Sequence, residues 1–232
     1  MTFFVGRGDQ RMAAHNQPAW DAIADRVLES RKYLPESSWT VVDWGGGEGG
    51  LLRTMAKRTF SCFDLLIGVD PDNEARRKAL EKMPETGLDE KSYLFLKTLE
   101  EVGSQSVDVF LSHETLYLVK LRWFFPELKR VLKPGGAAFV ALGSHSENEA
   151  WIQRRQVIDK THGIHSYVHA PMDIVETGHV AGFKSGFRRL WPAGYPDTNW
   201  YSPAEVDWAG WRSAEELLKF RDSKFLFEFW PR

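Results

Sequence analysis

Between Val41 and Leu51 the chain reads VVDWGGGEGGL: two β-branched residues, a carboxylate at Asp43, then five glycines interrupted only by Glu48. Glycines placed this way let a backbone turn sharply or let a ligand lie against it. The valines read as a buried strand feeding that turn, with a helix starting at about Glu48. A second carboxylate, Asp70, closes another apolar run, Leu65–Asp70, and Pro71 follows it. Farther on, His113 and His145 each stand just past a strand-like segment. Histidine, with an ordinary pKa of ~6.5, is the side chain suited to moving protons near neutrality. His162, His165 and His169 form H-x2-H-x3-H. On a continuous helix they would share one face, but Gly163 interrupts it and no carboxylate repeats in register, so a polar lid segment is expected rather than a metal site.

The glycine turn admits two cofactor chemistries. Gly45-x-Gly47-x-x-Gly50 fits the dinucleotide fingerprint, in which a pyrophosphate rests on a helix N-terminus. Glu48 argues against it, because the positive end of a helix dipole should meet a dianion there and not a second carboxylate. Asp43-x-Gly45-x-Gly47-x-Gly49 is similar to the first motif of S-adenosylmethionine (SAM) methyltransferases. That ligand carries a sulfonium and an ammonium group and no phosphate, so both carboxylates are tolerable or helpful.

The elements that must position these residues alternate. Pro18–Leu34 has apolar residues at helical spacing, with Pro18 acceptable in a first turn. Strands are expected over Thr40–Trp44, Leu65–Asp70, Tyr93–Leu96, Ser106–Leu111 and Ala137–Leu142, with Lys133–Gly136 a turn before the last. Helices are expected over Leu51–Arg58, after an Asp70-Pro71 cap, and over Leu121–Leu132, with its regular part starting at Pro126. Such alternation argues for a parallel sheet with helices on both faces. The last third is less regular. It offers helices over Glu147–Lys160 and Pro171–Val180, a loop over Gly163–Ala170 and strands over Phe183–Trp191 and Lys224–Trp230. Capping boxes stand at Ser202-x-x-Glu205 and Ser213-x-x-Glu216, after a Pro- and Gly-rich loop over Pro192–Trp200.

Composition bounds the function. At 232 residues, 43% hydrophobic and 27% charged, the chain is an ordinary globular one, read as a single domain. A net charge of −2 gives no electrostatic footprint for nucleic acid, and no apolar run approaches the ~20 residues that span a bilayer. The N-terminus lacks a signal-peptide apolar region. Cys62 is the only cysteine, which fits a cytoplasmic location. Eight of the ten tryptophans lie outside Asp43–Gly143, which points either to a large aromatic core or to an aromatic-walled pocket.

Taken together, VVDWGGGEGG, GVDPDN, SVDVFLSHETLYLV and ELKRVLKPGGAAFVA resemble, in order and spacing, the class I SAM-dependent methyltransferases, particularly the small-molecule branch. The resemblance covers roughly Trp39–Gly143 well and the rest in outline. It implies a Rossmann-like, seven-stranded, mostly parallel sheet with helices on both faces and a reversed final strand. It also implies an N-terminal helical cap at about 10–35 and acceptor-recognition insertions at about 145–170 and 192–222. For the cofactor it implies Asp43, Trp44, Gly45 and Gly47 at the methionine end, Asp70 and Pro71 at the ribose, Thr98 and Leu99 at the adenine, and His113 beside the methyl group. Two carboxylate oxygens on Asp70 suit two neighbouring hydroxyl donors. The acidic residue often found after the third strand is replaced here by Lys97-Thr98-Leu99.

On that resemblance His113 and His145 are the candidate bases, and Tyr117, Trp151, Tyr167 and His169 the candidate acceptor contacts. Glu114 could pair with the ammonium of SAM, and Trp20 could fold over the cofactor. The expected activity is methyl transfer from SAM, leaving S-adenosylhomocysteine, to O or N of a small aromatic or heterocyclic metabolite. The partner expected is that small-molecule acceptor, with no nucleic acid and no membrane, in a monomer or homodimer. Two rivals remain open at this level: a nicotinamide-dependent oxidoreductase on a similar turn, and a methyltransferase-like binding module, since fold does not fix function.

Overall fold

The computed structural model describes residues 10–35, 38–58, 62–191 and 213–232. Its strands are β1 (Trp39–Trp44), β2 (Phe63–Val69), β3 (Tyr93–Leu96), β4 (Val107–His113), β5 (Leu132–Leu142), β6 (Phe183–Arg189) and β7 (Phe225–Pro231). They form one sheet in the order β3-β2-β1-β4-β5-β7-β6. The first five run parallel, and β7 lies antiparallel between β5 and β6. This is the reversed final strand that the resemblance implies. The strand order changes direction between β1 and β4, which is where open parallel sheets leave a crevice beyond their carboxyl ends.

The helices are α1 (Gln10–Glu29), α2 (Gly50–Arg58), α3 (Asn73–Lys82), α4 (Leu121–Val131), α5 (Glu149–His162), α6 (Pro171–Val180) and α7 (Ala214–Asp222). Side chains of a strand alternate between faces, and the core divides accordingly. Val41, Leu66, Val109, Leu111 and Phe139 pack against Ile23, Ala24 and Val27 of α1 and Leu51, Leu52 and Met55 of α2. Val42, Ile67, Phe110, Val140 and Phe227 pack on the other face with Phe124, Phe125 and Leu128 of α4 and Ile174 of α6. Each such side chain stabilises the fold by roughly 1.5–3 kcal/mol when fully buried.

Four local expectations are corrected. Pro18 sits inside α1, not in its first turn, so the helix begins eight residues earlier, at Gln10. An interior proline costs ~3 kcal/mol, and the buried stripe Ala19, Ile23, Ala24 and Val27 offsets it. Pro126 likewise lies within α4, which starts at Leu121, where Phe124, Phe125 and Leu128 are fully buried. The cap of α3 is Asp72 and not Asp70. Its carboxylate accepts from the N–H groups of Glu74 and Ala75, which leaves Asp70 for other work. Lys133–Gly136 is a bulge within β5, since Val107 pairs with Leu132 and Val109 with Ala137. Lys133 Nζ anchors the bulge on the Asp108 carboxylate at 2.7 Å.

Ser213 caps α7 as expected, its hydroxyl accepting from Glu216 N–H. The pattern at Ser202, the segment 192–200 and Trp200, Tyr201, Trp208 and Trp211 lie outside the described residues, as does the side chain of His162. Among the described residues no helix is long and apolar enough to cross a membrane.

Candidate active site

A cavity of about 710 Å³ opens beyond the carboxyl ends of β1–β4, with α1 covering it through Ala13, His15, Asn16 and Trp20. One end holds the glycine turn. Gly45 has φ +73°, and a Cβ built there would stand 2.0 Å from Thr115 Oγ1, so the turn is pressed against the segment following β4. Gly50 opens α2 under the Trp20 ring, where a Cβ would lie 2.1 Å from Cη2. The turn therefore needs glycine both for its backbone and to let the covering helix close in.

Asp70, just past β2, uses each carboxylate oxygen once: Oδ2 accepts from Gly47 N–H at 3.0 Å and Oδ1 from Asp72 N–H at 2.9 Å. Each oxygen keeps acceptor capacity towards the cavity. Burial raises its pKa, and the two backbone N–H groups partly offset that. Asp43 is buried and its Oδ2 has no hydrogen-bond partner. Burial first, and the Asp70 charge second, push its carboxyl up to about 8. An orphaned carboxylate lining a cavity suits a cation arriving from outside. Glu48 plays a different part. It pairs with Lys78 at 3.2 Å and Lys82 at 2.5 Å, tying the turn to α3.

Tyr117 and Trp151, whose ring centroids are 5.0 Å apart, line the cavity with Phe220, Leu118 and Trp123, the last packed 6.0 Å from the Trp44 ring. Burial raises the Tyr117 phenol pKa. His113 and Glu114 line the cavity too. Glu114 has φ 54°, a left-handed conformation that is unusual for a glutamate. Its carboxylate accepts from Gly143 N–H and Ser144 Oγ, both at 2.7 Å, and pairs with Lys224 Nζ at 3.0 Å. Burial works to raise its pKa, but Lys224, His113 and Ser144 outweigh it and bring the carboxyl down to about 2.

The Methyltransferase domain family matches residues 42–140, spanning the glycine turn, Asp70, the β4 end and β5. That match and the curated relatives support a class I SAM-dependent methyltransferase domain over this part of the chain. An uncharacterised methyltransferase of Mycobacterium tuberculosis is 28% identical over 122 residues, 52% of this chain and 46% of that protein. The chain thus spans about half the length of the curated relatives it matches. Among solved structures, a chain in the complex between the Haloferax volcanii Trm112 methyltransferase activator and the putative methyltransferase has a TM-score of 0.66 at 21% identity. That alignment covers 97% of this chain and 99% of that one. Geranyl diphosphate C-methyltransferase from Streptomyces coelicolor A3(2) has a TM-score of 0.62 at 15% identity, over 89% of this chain and 78% of that one. At these identities the likeness speaks for the fold.

Every residue expected around the cofactor lines the cavity: Asp43, Trp44, Gly45, Gly47, Asp70, Pro71, Thr98, Leu99 and His113. Tyr117 and Trp151 line it too. Three expected residues do not. His145 is buried behind the wall, its Nε2 2.7 Å from the Ser223 carbonyl and its ring stacked on Phe225 at 4.8 Å. Burial lowers its pKa, only partly offset by that carbonyl. His169 Nε2 lies 2.9 Å from the Val119 carbonyl, and Tyr167 N–H donates to the Tyr117 carbonyl. Both buttress the 117–119 segment from behind. His165 packs edge-on against Tyr167.

His113 reaches the cavity but is a poor base. Its Nε2 is 2.9 Å from Lys224 Nζ, and burial, then the Lys224 charge, lower its pKa to about 3. Sequence reasoning missed Lys224, Ser144, Phe220, Trp123 and Glu100, all of which line the cavity. The one available signal was a lysine heading the otherwise apolar run Lys224–Trp230.

Proposed function

We propose that this domain transfers a methyl group from SAM to a nucleophilic O or N of a small aromatic or heterocyclic acceptor. The observation that carries the reading is the orphaned Asp43 carboxyl, set beside Asp70 in one cavity that Tyr117, Trp151 and Trp123 also line. Asp43 offers a buried carboxyl that an arriving cationic group would favour in its ionised form, and Asp70 offers two oxygens to a pair of hydroxyls. Leu99 and Thr98 lie where a flat base would pack and bond. When bound, SAM supplies a methyl group already activated by its sulfonium. What remains for the protein is to hold the acceptor lone pair in line at contact distance and to exclude water. The aromatic wall and α1 suit that task.

His145 faces away from the cavity and His113 Nε2 is occupied, which favours an acceptor that presents a free lone pair without prior proton removal. The complexes of geranyl diphosphate C-methyltransferase contain S-adenosylhomocysteine, which supports this choice of cofactor. The acceptor is taken to be a small molecule, and the chain a monomer or homodimer.

Calorimetric titration with S-adenosylhomocysteine beside NADH, repeated on Asp70→Ala, tests the reading. Micromolar binding of the first, weakened about 100-fold or more in the variant, is expected. Two lost hydrogen bonds to a charged carboxylate, each about 1.5–3 kcal/mol, give that factor. No heat from folded protein would sink it.

A further inference from the structure

Lys224 precedes β7, 110 residues after Glu114 in the chain, yet its ammonium is buried at the centre of the cavity wall, 4% exposed. Three groups surround it. Glu114 Oε1 is at 3.0 Å, His113 Nε2 at 2.9 Å, and the Phe220 ring centroid at 5.2 Å. An ammonium has only hydrogens to offer. Beside a carboxylate and over a ring face, Nζ donates to both neighbours, so the imidazole must accept at Nε2. The ring is then the neutral tautomer with its proton on Nδ1. That nitrogen makes no hydrogen bond among the described residues, and the ring lines the cavity.

We propose that Lys224 is a positioning residue acting through His113: it fixes the imidazole as a hydrogen-bond donor, Nδ1–H, directed at the acceptor end of the cavity. His113 then recognises an acceptor carrying a carbonyl or carboxylate oxygen, or an aromatic ring nitrogen, and is not a base. The donor's role rests on the proposed acceptor site; the tautomer does not. Glu114 belongs to the same device. Its left-handed backbone aims the carboxylate back at Gly143 and Ser144, so that it holds Lys224 while Lys224 holds His113. The charged or titratable groups facing the ring are Lys224 from the approach to β7, Glu114 from the end of β4, and His15 from α1. Lys224 and His15 disfavour a second proton on the ring, and burial does so most strongly.

Long-range proton–nitrogen NMR spectra of the 15N-labelled free protein read the tautomer directly, with His113 assigned from the signals missing in His113→Gln. At neutral pH the expected pattern is a protonated Nδ1 and an unprotonated Nε2, unchanged between about pH 5 and 8, where ordinary histidines titrate. In Lys224→Met the single tautomer should be lost and the pKa should rise by about one unit or more, as removing a charge at hydrogen-bond distance does. Lys224→Arg, which keeps a cationic donor, should restore the pattern. A proton on Nε2 in the wild type, or ordinary titration there, would overturn the proposal even if Lys224→Met failed to fold. A folded Lys224→Met with unchanged tautomer and titration would reduce Lys224 to a packing role. None of these spectra requires SAM, so a failure here is distinct from a failure of the methyltransferase reading.

Discussion

Two carboxylates stand at the mouth of the same sheet and are treated in opposite ways. Asp43, next to last in β1, is buried beside Asp70 with one oxygen unpartnered, and its carboxyl is pushed up to about 8. Glu114, immediately past β4, is held by Gly143, Ser144 and Lys224 and driven down to about 2. Both are desolvated, so burial cannot explain the difference; the partners do. At the end proposed for the cofactor the protein leaves a buried carboxyl unpartnered, and at the end proposed for the acceptor it does not. At the acceptor end it supplies the cation itself, from the distant Lys224, and uses the pair to organise a wall. A site residue that destabilises the empty fold is thus found beside one that holds the fold together.

The largest expected effect tests the acceptor end. Glu114→Ala leaves the Lys224 ammonium buried without its counter-charge, and removing one partner of a buried pair costs about 3–5 kcal/mol. Urea unfolding at pH 7 should show that loss, whereas Asp43→Asn should cost little or nothing. If Asp43→Asn proved the more destabilising of the two, the contrast would collapse.

A second measurement sharpens it through pH. For Glu114 the folded pKa lies below the ordinary 4.5, so its stabilisation is present above that value and is lost as pH falls towards about 2. For Asp43 the sign is reversed. Its folded pKa of about 8 lies above the ordinary 3.8, so the folded state holds a proton that the unfolded state has released. The contribution of Asp43 to stability should therefore fall as pH rises between those values, by up to about 1.4 kcal/mol per pH unit. Asp43→Asn should flatten that slope. A stability difference between wild type and Asp43→Asn that stays constant between pH 5 and about 7 would show Asp43 to be ionised and partnered.

The same division explains what could be read from sequence. The end proposed for the cofactor is built from contiguous stretches, Asp43–Gly50 and Asp70–Pro71, whose strand, turn and helix signals are local, and all of these residues but Gly49 line the cavity. The parallel sheet was legible for the same reason, from alternating apolar strands and amphipathic helices. The acceptor end joins Glu114, Ser144 and Lys224 across three separate strand ends, and no local pattern announces such a meeting. His145 and His169 illustrate the converse. Their positions after strand and loop suggested chemistry, but tertiary packing turned each ring towards a backbone carbonyl instead. Pro18 and Pro126 misled for a related reason, because buried apolar stripes can carry a helix through a proline.

The smallest predicted effect separates scaffold from binding within the cofactor end itself. Asp72 caps α3 through its side chain, but what it gives Asp70 is its backbone N–H. Asp72→Ala deletes the cap and keeps the N–H. It should lower stability by about 1 kcal/mol, the usual cost of losing an N-cap carboxylate, and leave the affinity for S-adenosylhomocysteine within about twofold. Paired urea and calorimetric titrations measure both. A large loss of affinity would mean that Asp70 depends on the helix cap for its orientation. The cofactor end would then be as interlocked as the acceptor end, and the difference drawn between Asp43 and Glu114 would describe those two residues alone.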